Sequence, residues 1–208
     1  MSISIYQLKP KFQQLLAPLL SLLIRRRVTP NQITLLAMSL SVAYGAILAV
    51  FPQLPWLWMA FPFFMLLRMA LNAIDGMLAN ASGQKTNLGA LLNELCDQLS
   101  DLALYLPFVM LADIYAPLLV AVVIAALLAE FAGVSAALIG SPRRFDGPMG
   151  KSDRAFVFGL LALMHFYAAS PSWQNGLLGL SLLLLGYTIF NRLRQALRSQ
   201  VSAVQPTL

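Results

Sequence analysis

The chain has 208 residues, 59% of them hydrophobic and 11% charged, with a mean hydropathy of +0.75 and a formal net charge of +6. A soluble domain of this size is about 45–50% apolar and about 25% charged, so the composition excludes an ordinary soluble domain. It predicts an all-α integral membrane protein, one membrane domain over residues 1–208. The single cysteine, Cys96, excludes an internal disulfide and a thiolate metal cage; it reads as a small packing residue.

The first predicted element covers residues 2–27. Lys9, Pro10 and Lys11 interrupt its early apolar residues, and Arg25, Arg26 and Arg27 follow the apolar run from Leu15 to Ile24. A secretory signal places its charge before the apolar core, so this stretch reads as an amphipathic helix at the membrane interface. Six apolar stretches near the roughly 20-residue spanning length follow, at about 33–51, 55–79, 88–112, 117–139, 155–169 and 177–190. The last two are short and need flanking residues or a locally thinned bilayer. Six crossings put both termini on one side. Lys9, Lys11, Arg25, Arg26, Arg27, Lys85, Arg143, Arg144, Lys151, Arg154, Arg192, Arg194 and Arg198 all fall on that side. The opposite loops, near Pro52, Asp113 and Ser172, carry no Lys or Arg, and Trp56, Trp58 and Trp173 lie toward them. The excess of cations makes the side of the termini cytoplasmic, with a bacterial inner membrane as the expected location. Topology and anionic lipid headgroups account for the net charge, so no nucleic-acid partner is expected.

Ionisable residues inside spans are costly and mark functional positions. Here they are Arg68, Asp75, Glu94, Asp97, Asp101 and Glu130. Arg68, Asn72, Asp75 and Ala79 step by four, three and four along the second span, and Gly89, Asn93, Asp97 and Asp101 step by four along the third. Each series lies on one helix face. The two spans run antiparallel, so the faces meet at matching depths, roughly 6–12 Å inside the cytoplasmic boundary at 1.5 Å per residue. Arg68 and Asp101 form the deepest rung, read as a structural ion pair. Glu130 lies at a similar depth and either approaches this cluster or pairs elsewhere with arginine. Oxygen ligands of Asp, Asn and Glu suit a hard cation such as Mg²⁺ or Mn²⁺. Such an ion at headgroup depth suits a phosphate or diphosphate, and a carboxylate beside it can take a proton from an attacking hydroxyl. Gly76 and Gly89 allow either close approach of a substrate or close helix packing. His165 and Asp113 lie toward the other face and read as structural.

From Asn72 the chain runs Asn72-x2-Asp75-Gly76-x2-Ala79-Asn80-x8-Gly89-x3-Asn93-x3-Asp97, and "TPNQIT" opens the first span at Thr29. This frame resembles the CDP-alcohol phosphatidyltransferases, whose motif D-x2-D-G-x2-A-R-x8-G-x3-D-x3-D crosses the second and third of six spans. The resemblance implies transfer of a phosphatidyl group from a CDP-linked lipid, typically CDP-diacylglycerol, to an alcohol, with release of CMP, in phospholipid synthesis. It makes Asp97 the catalytic base and Asp75 and Asp97 metal ligands, with Asn72, Asn93 and the neighbouring Glu94 as further candidate ligands for one or two ions. Asn31, Thr34, Gly76, Ala79, Asn80 and Gly89 would border the nucleotide, with Lys85 close by in the loop. Arg143, Arg144, Lys151 and Arg154 are candidates to hold an anionic acceptor or a lipid phosphate, or serve topology alone. A homodimer is an open alternative. Three positions depart from the motif: Asn72 and Asn93 replace the first and third aspartates, and Asn80 replaces the arginine. Four aspartates balance two divalent ions; Asp75 and Asp97 formally balance one. A second reading is therefore a weakened or inactive member that binds CDP-lipid or scaffolds other enzymes. A transporter is a third, without the inverted repeat that would support it.

Overall fold

The computed structural model describes residues 8–204 and is helical, with no strand among the described residues. The part of the interfacial-helix expectation on residues 2–7 lies outside them. Among the described residues seven α-helices run in chain order: α1 Leu8–Arg25, α2 Pro30–Val50, α3 Pro55–Ala81, α4 Asn87–Tyr105, α5 Ala116–Ser135, α6 Lys151–Phe166 and α7 Pro171–Val204. The described chain divides into two compact units, residues 8–47 with 63–104, and residues 48–62 with 105–204.

Four helical stretches are long and apolar enough to cross a bilayer: Pro30–Val50, Pro55–Ala81, Ala116–Ile139 and Pro171–Ser199. The other two expected spans fall short for local reasons. α4 carries Glu94, Asp97 and Asp101 and ends at Tyr105, followed by a 3₁₀ turn over Leu106–Met110. Pro107 has no N–H for the carbonyl four residues back, so the α-helical ladder stops there. α6 has 16 residues, below the roughly 20 that a straight crossing needs. The expected span at 177–190 lies inside the 34-residue α7.

In the first unit, α1 ends in a left-handed cap. Arg27 has φ 54°, its N–H bonds the Ile24 carbonyl at 3.0 Å, and the Val28 N–H bonds the Leu23 carbonyl at 3.1 Å. This double bond satisfies the last carbonyls of the helix and folds Val28 back. Leu16, Leu20 and Leu23 then pack with Val28 and Leu71 against Ile33, Ile74 and Leu78. The neighbouring stripe, Leu15, Leu19 and Leu22, is exposed. "TPNQ" opens α2 as a capping box: the Thr29 N–H donates to Gln32 Oε1 (2.9 Å), the Gln32 N–H donates to Thr29 Oγ1 (3.3 Å), and Pro30 takes the first helical position. Deeper in this unit α2 and α4 cross closely, because any Cβ on Gly45 would collide with the Ala103 carbonyl.

The second unit has an aromatic core. Tyr105 stacks on Phe158 at 3.7 Å, and Phe108 meets Trp58, Phe61 and Phe158 edge-on at 4.7, 5.2 and 5.4 Å. Leu119, Val122, Ala126, Ala129 and Gly133 form the buried stripe of α5, which packs along α7. The loop from Gly140 to Gly150 is tied down along its length. The Arg144 N–H donates to the Gly133 carbonyl (3.0 Å) and the Met149 N–H to Thr188 Oγ1 (3.1 Å).

Candidate functional site

Three helix ends of the first unit surround a cleft of about 240 Å³. The start of α2 supplies Pro30, Asn31 and Thr34, and the end of α3 supplies Asp75, Gly76 and Ala79. Gln84, Lys85 and Thr86 come from the connecting loop, and Gly89, Ala90 and Asn93 from the start of α4. Local chemistry sets the entry of α4. Thr86 is its N-cap: its hydroxyl oxygen accepts from the Gly89 N–H at 3.0 Å and its carbonyl from the Ala90 N–H at 3.1 Å. A Cβ on Gly89 would press on Asn31 Oδ1 at 3.0 Å and Thr86 Oγ1 at 3.1 Å, so only glycine fits there without a shift. A Cβ on Gly76 would meet nothing within 4 Å; its missing side chain leaves room in the cleft.

The polar residues of α3 and α4 are joined in a ladder. Nearest the helix ends, Asp75 is 7% exposed and its Oδ2 accepts from the Thr34 hydroxyl at 2.9 Å. One turn deeper on α3, Asn72 donates from Nδ2 to Asp97 Oδ1 at 2.6 Å. Deeper still, Arg68 donates from Nη1 to Asp101 Oδ1 (2.6 Å) and from Nη2 to the Asp97 carbonyl (3.0 Å), and Nη2 lies 3.6 Å from Asp97 Oδ1. These three ionic side chains are almost wholly buried. Asp97 is thus held on one oxygen by an amide and a guanidinium, and Asp75 on one oxygen by a hydroxyl.

Of the residues expected at the site, Asn31, Thr34, Asp75, Gly76, Ala79, Lys85, Gly89 and Asn93 line the cleft. Asn72, Asp97, Arg68 and Asp101 form the ladder behind it. Asn80 is exposed and donates to the Gly76 carbonyl of its own helix at 2.8 Å. Glu94 is half-buried on α4 and outside the cleft lining. Pro30, Gln84, Thr86 and Ala90 complete the lining; of these the sequence had marked only Pro30, within "TPNQIT".

The donor chemistry suits a hard divalent cation. Two carboxylates, Asp75 and Asp97, and the amide oxygens of Asn72 and Asn93 come from two facing helices. Among the described residues no group of three or more His, Cys, Asp or Glu is arranged to hold a metal. Asp75, Asp97 and Asp101 outnumber Arg68 by two formal charges.

The arginines of the second unit face inward. Glu130 Oε1 accepts from Arg154 Nη1 at 2.9 Å and lies 3.4 Å from Arg192 Nη1; Oε2 accepts from Arg143 Nη2 at 3.2 Å. Glu130 therefore takes the second of its two expected alternatives, pairing with arginine. Arg154 also donates to the Met149 carbonyl (3.3 Å), and Arg192 to the carbonyls of Ala129 and Asp146. Arg144 is paired with Asp146 at 2.8 and 3.2 Å. Lys151 opens α6 and is half-buried. Burial, and then the charge of Arg192, lower the pKa of Arg143; its guanidinium lies 4.6 Å over the Phe145 ring. Arg192, 2% exposed, entered the sequence reading only as a topological charge.

The CDP-alcohol phosphatidyltransferase family model matches residues 27–188. The chain is 44% identical over 195 residues to inner membrane protein YnbA of Escherichia coli K12, covering 93% of the chain and 96% of that protein. It is 34% identical over 93 residues to a phosphatidylinositol phosphate synthase of Corynebacterium glutamicum, covering 45% of the chain and 41% of that enzyme. Its fold is similar to that of Mycobacterium tuberculosis phosphatidylinositol phosphate synthase with CDP-DAG bound, at TM-score 0.72, 21% identity, and coverage of 86% of this chain and 92% of the other. The same enzyme in complex with manganese and citrate gives a TM-score of 0.70 at 22% identity, covering 86% of this chain and 87% of that one.

Proposed function

Because the chain belongs to the CDP-alcohol phosphatidyltransferase family, we propose that it transfers a phosphatidyl group from a CDP-linked lipid, such as CDP-diacylglycerol, to an alcohol in phospholipid synthesis. The observation that carries this reading is the convergence of the motif positions Asp75, Gly76, Ala79, Gly89 and Asn93, with Asn31 and Thr34, on one cleft.

Asn31, Thr34, Gly76, Ala79 and Gly89 border the cytidine diphosphate, and the cleft takes this polar head while the acyl chains stay in lipid. Lys85 is the one Lys or Arg among the lining residues and supplies the positive charge that Asn80, turned onto its own helix, does not. The acceptor oxygen bonds to the lipid-side phosphorus as the bond from that phosphorus to the CMP oxygen breaks; CMP departs with the electron pair. Asp97 takes the acceptor's proton, its carboxylate oriented by Asn72 and Arg68. Asp75, oriented by Thr34, and Asp97 would hold a divalent cation, Mg²⁺ or Mn²⁺, with Asn93. When bound, that ion supplies charge neutralisation of the diphosphate and stabilisation of the leaving oxygen. Manganese in the mycobacterial synthase supports this choice. In the second unit, Arg143, Arg154 and Arg192 against Glu130 sum to +2. Arg143, with 26% of its side chain exposed, is the least buried of these guanidiniums.

We place the protein in a bacterial inner membrane with both termini cytoplasmic and six crossings, α4 and α6 completing the four longer ones. The name of the Escherichia coli relative supports the location. The test is mass spectrometry of lipids and soluble products after purified protein meets CDP-diacylglycerol, Mg²⁺ or Mn²⁺ and a pool of alcohols. CMP and one new phospholipid are expected. The second reading, a member that binds CDP-lipid without turnover, is favoured by the neutral side chains at Asn72 and Asn93. It predicts thermal stabilisation by CDP-lipid with no CMP from any alcohol.

A further inference from the structure

Resting on that reading, we propose that Asn72 is a positioning residue for Asp97 rather than a cation ligand, and that the site takes one divalent ion. An amide shows two faces, an acceptor oxygen and a donor NH₂. Its orientation follows from what it meets. At 2.6 Å from Asp97 Oδ1 only the nitrogen is tolerable, because a carboxylate oxygen has no proton to offer an amide oxygen. The contact therefore commits Asn72 as a donor. Arg68 Nη2, 3.6 Å from the same oxygen, adds a fixed positive charge, so protein donors serve Asp97 Oδ1.

An aspartate at position 72 would set carboxylate against carboxylate at this spacing. Such a pair ionises fully only with a cation between them. Asparagine removes that demand. It holds Asp97 without a bridging ion. The two carboxylates left at the motif positions, Asp75 and Asp97, match one divalent ion, anchored on Asp75 on the cleft side.

The test is Mn²⁺ binding to the purified full chain with CDP-diacylglycerol, followed by electron paramagnetic resonance and elemental analysis, beside CMP release. The wild type should bind one manganese per chain. Asn72→Asp should bind a second ion, or the first about tenfold tighter. Asn72→Ala should keep one ion, with kcat down about 10–100-fold, the usual cost of losing a partner that orients a ligand, and KM for CDP-lipid changed less than about twofold. The wild-type stoichiometry needs no variant, so a misfolded mutant does not spare the proposal. Two ions per wild-type chain in protein that releases CMP overturns this inference alone, as does loss of the ion in folded Asn72→Ala. No ion bound and no CMP released overturns the parent reading and this one with it.

Discussion

Each unit buries a charged cluster, and the two are built on opposite ratios. In the first unit one arginine, Arg68, faces two aspartates, and the excess negative charge runs up the helices to Asp75 at a cleft. In the second unit one carboxylate, Glu130, faces three arginines, two of which also donate to backbone carbonyls. A buried ion is tolerable when its partners surround it. The second cluster meets that condition inside the protein and ties the Gly140–Gly150 loop to α5, α6 and α7. The first carries an excess of carboxylate beside an open cleft, the arrangement that invites a cation. The motif positions from Asn72 to Asp97 lie in the unit whose excess charge is negative and borders a cleft.

The contrast can be broken from either side. Glu130→Ala should have the largest effect on stability, because it leaves three guanidiniums without their shared carboxylate. A loss of about 3–5 kcal/mol is expected, read as a fall in Tm in detergent, with KM for CDP-lipid unchanged in the protein that stays folded. Gly76→Leu should act in the opposite sense. The side chain enters the cleft, so KM for CDP-lipid should rise about tenfold by occupying ligand volume. Thermal stability should hold or improve, since glycine inside a helix costs about 0.5–1 kcal/mol. Thr86→Ala removes the cap that opens α4 and should cost about 1 kcal/mol in thermal unfolding, with Thr86→Ser restoring it. Lys85→Met should be the mildest. The side chain is exposed, and an exposed charge contact is worth about 0.2–1 kcal/mol. KM for CDP-lipid should rise roughly 1.5–5-fold, the more so at low salt.

The first cluster was readable from the chain because polar residues at three- and four-residue steps in an apolar helix can only share a face. That placed Asp75, Asn93 and Asp97 and paired Arg68 with Asp101. The second was not, because loop arginines show no period, and nothing in "SPRRFDGPMGKSDR" tells which guanidinium will find Glu130 twenty-four residues before Arg154. Spacing also could not say which face of the Asn72 amide meets Asp97, nor that Asn80 would bond its own helix. α4 ends at Tyr105, short of the expected boundary at 112, and α6 runs Lys151–Phe166 where 155–169 was expected. Pro107 ends the α4 ladder through its missing N–H, an effect that a window average does not register.

The central claim is that the first unit's carboxylates, Asp97 foremost, perform the transfer. Its most direct test is CMP release from CDP-diacylglycerol by Asp97→Asn beside the wild type, with Mg²⁺ or Mn²⁺ and the acceptor found by product analysis. The account predicts a fall of about 10²–10⁴-fold, the usual contribution of a general base, in a variant that CDP-lipid still stabilises thermally. Undiminished CMP release by folded Asp97→Asn would contradict it.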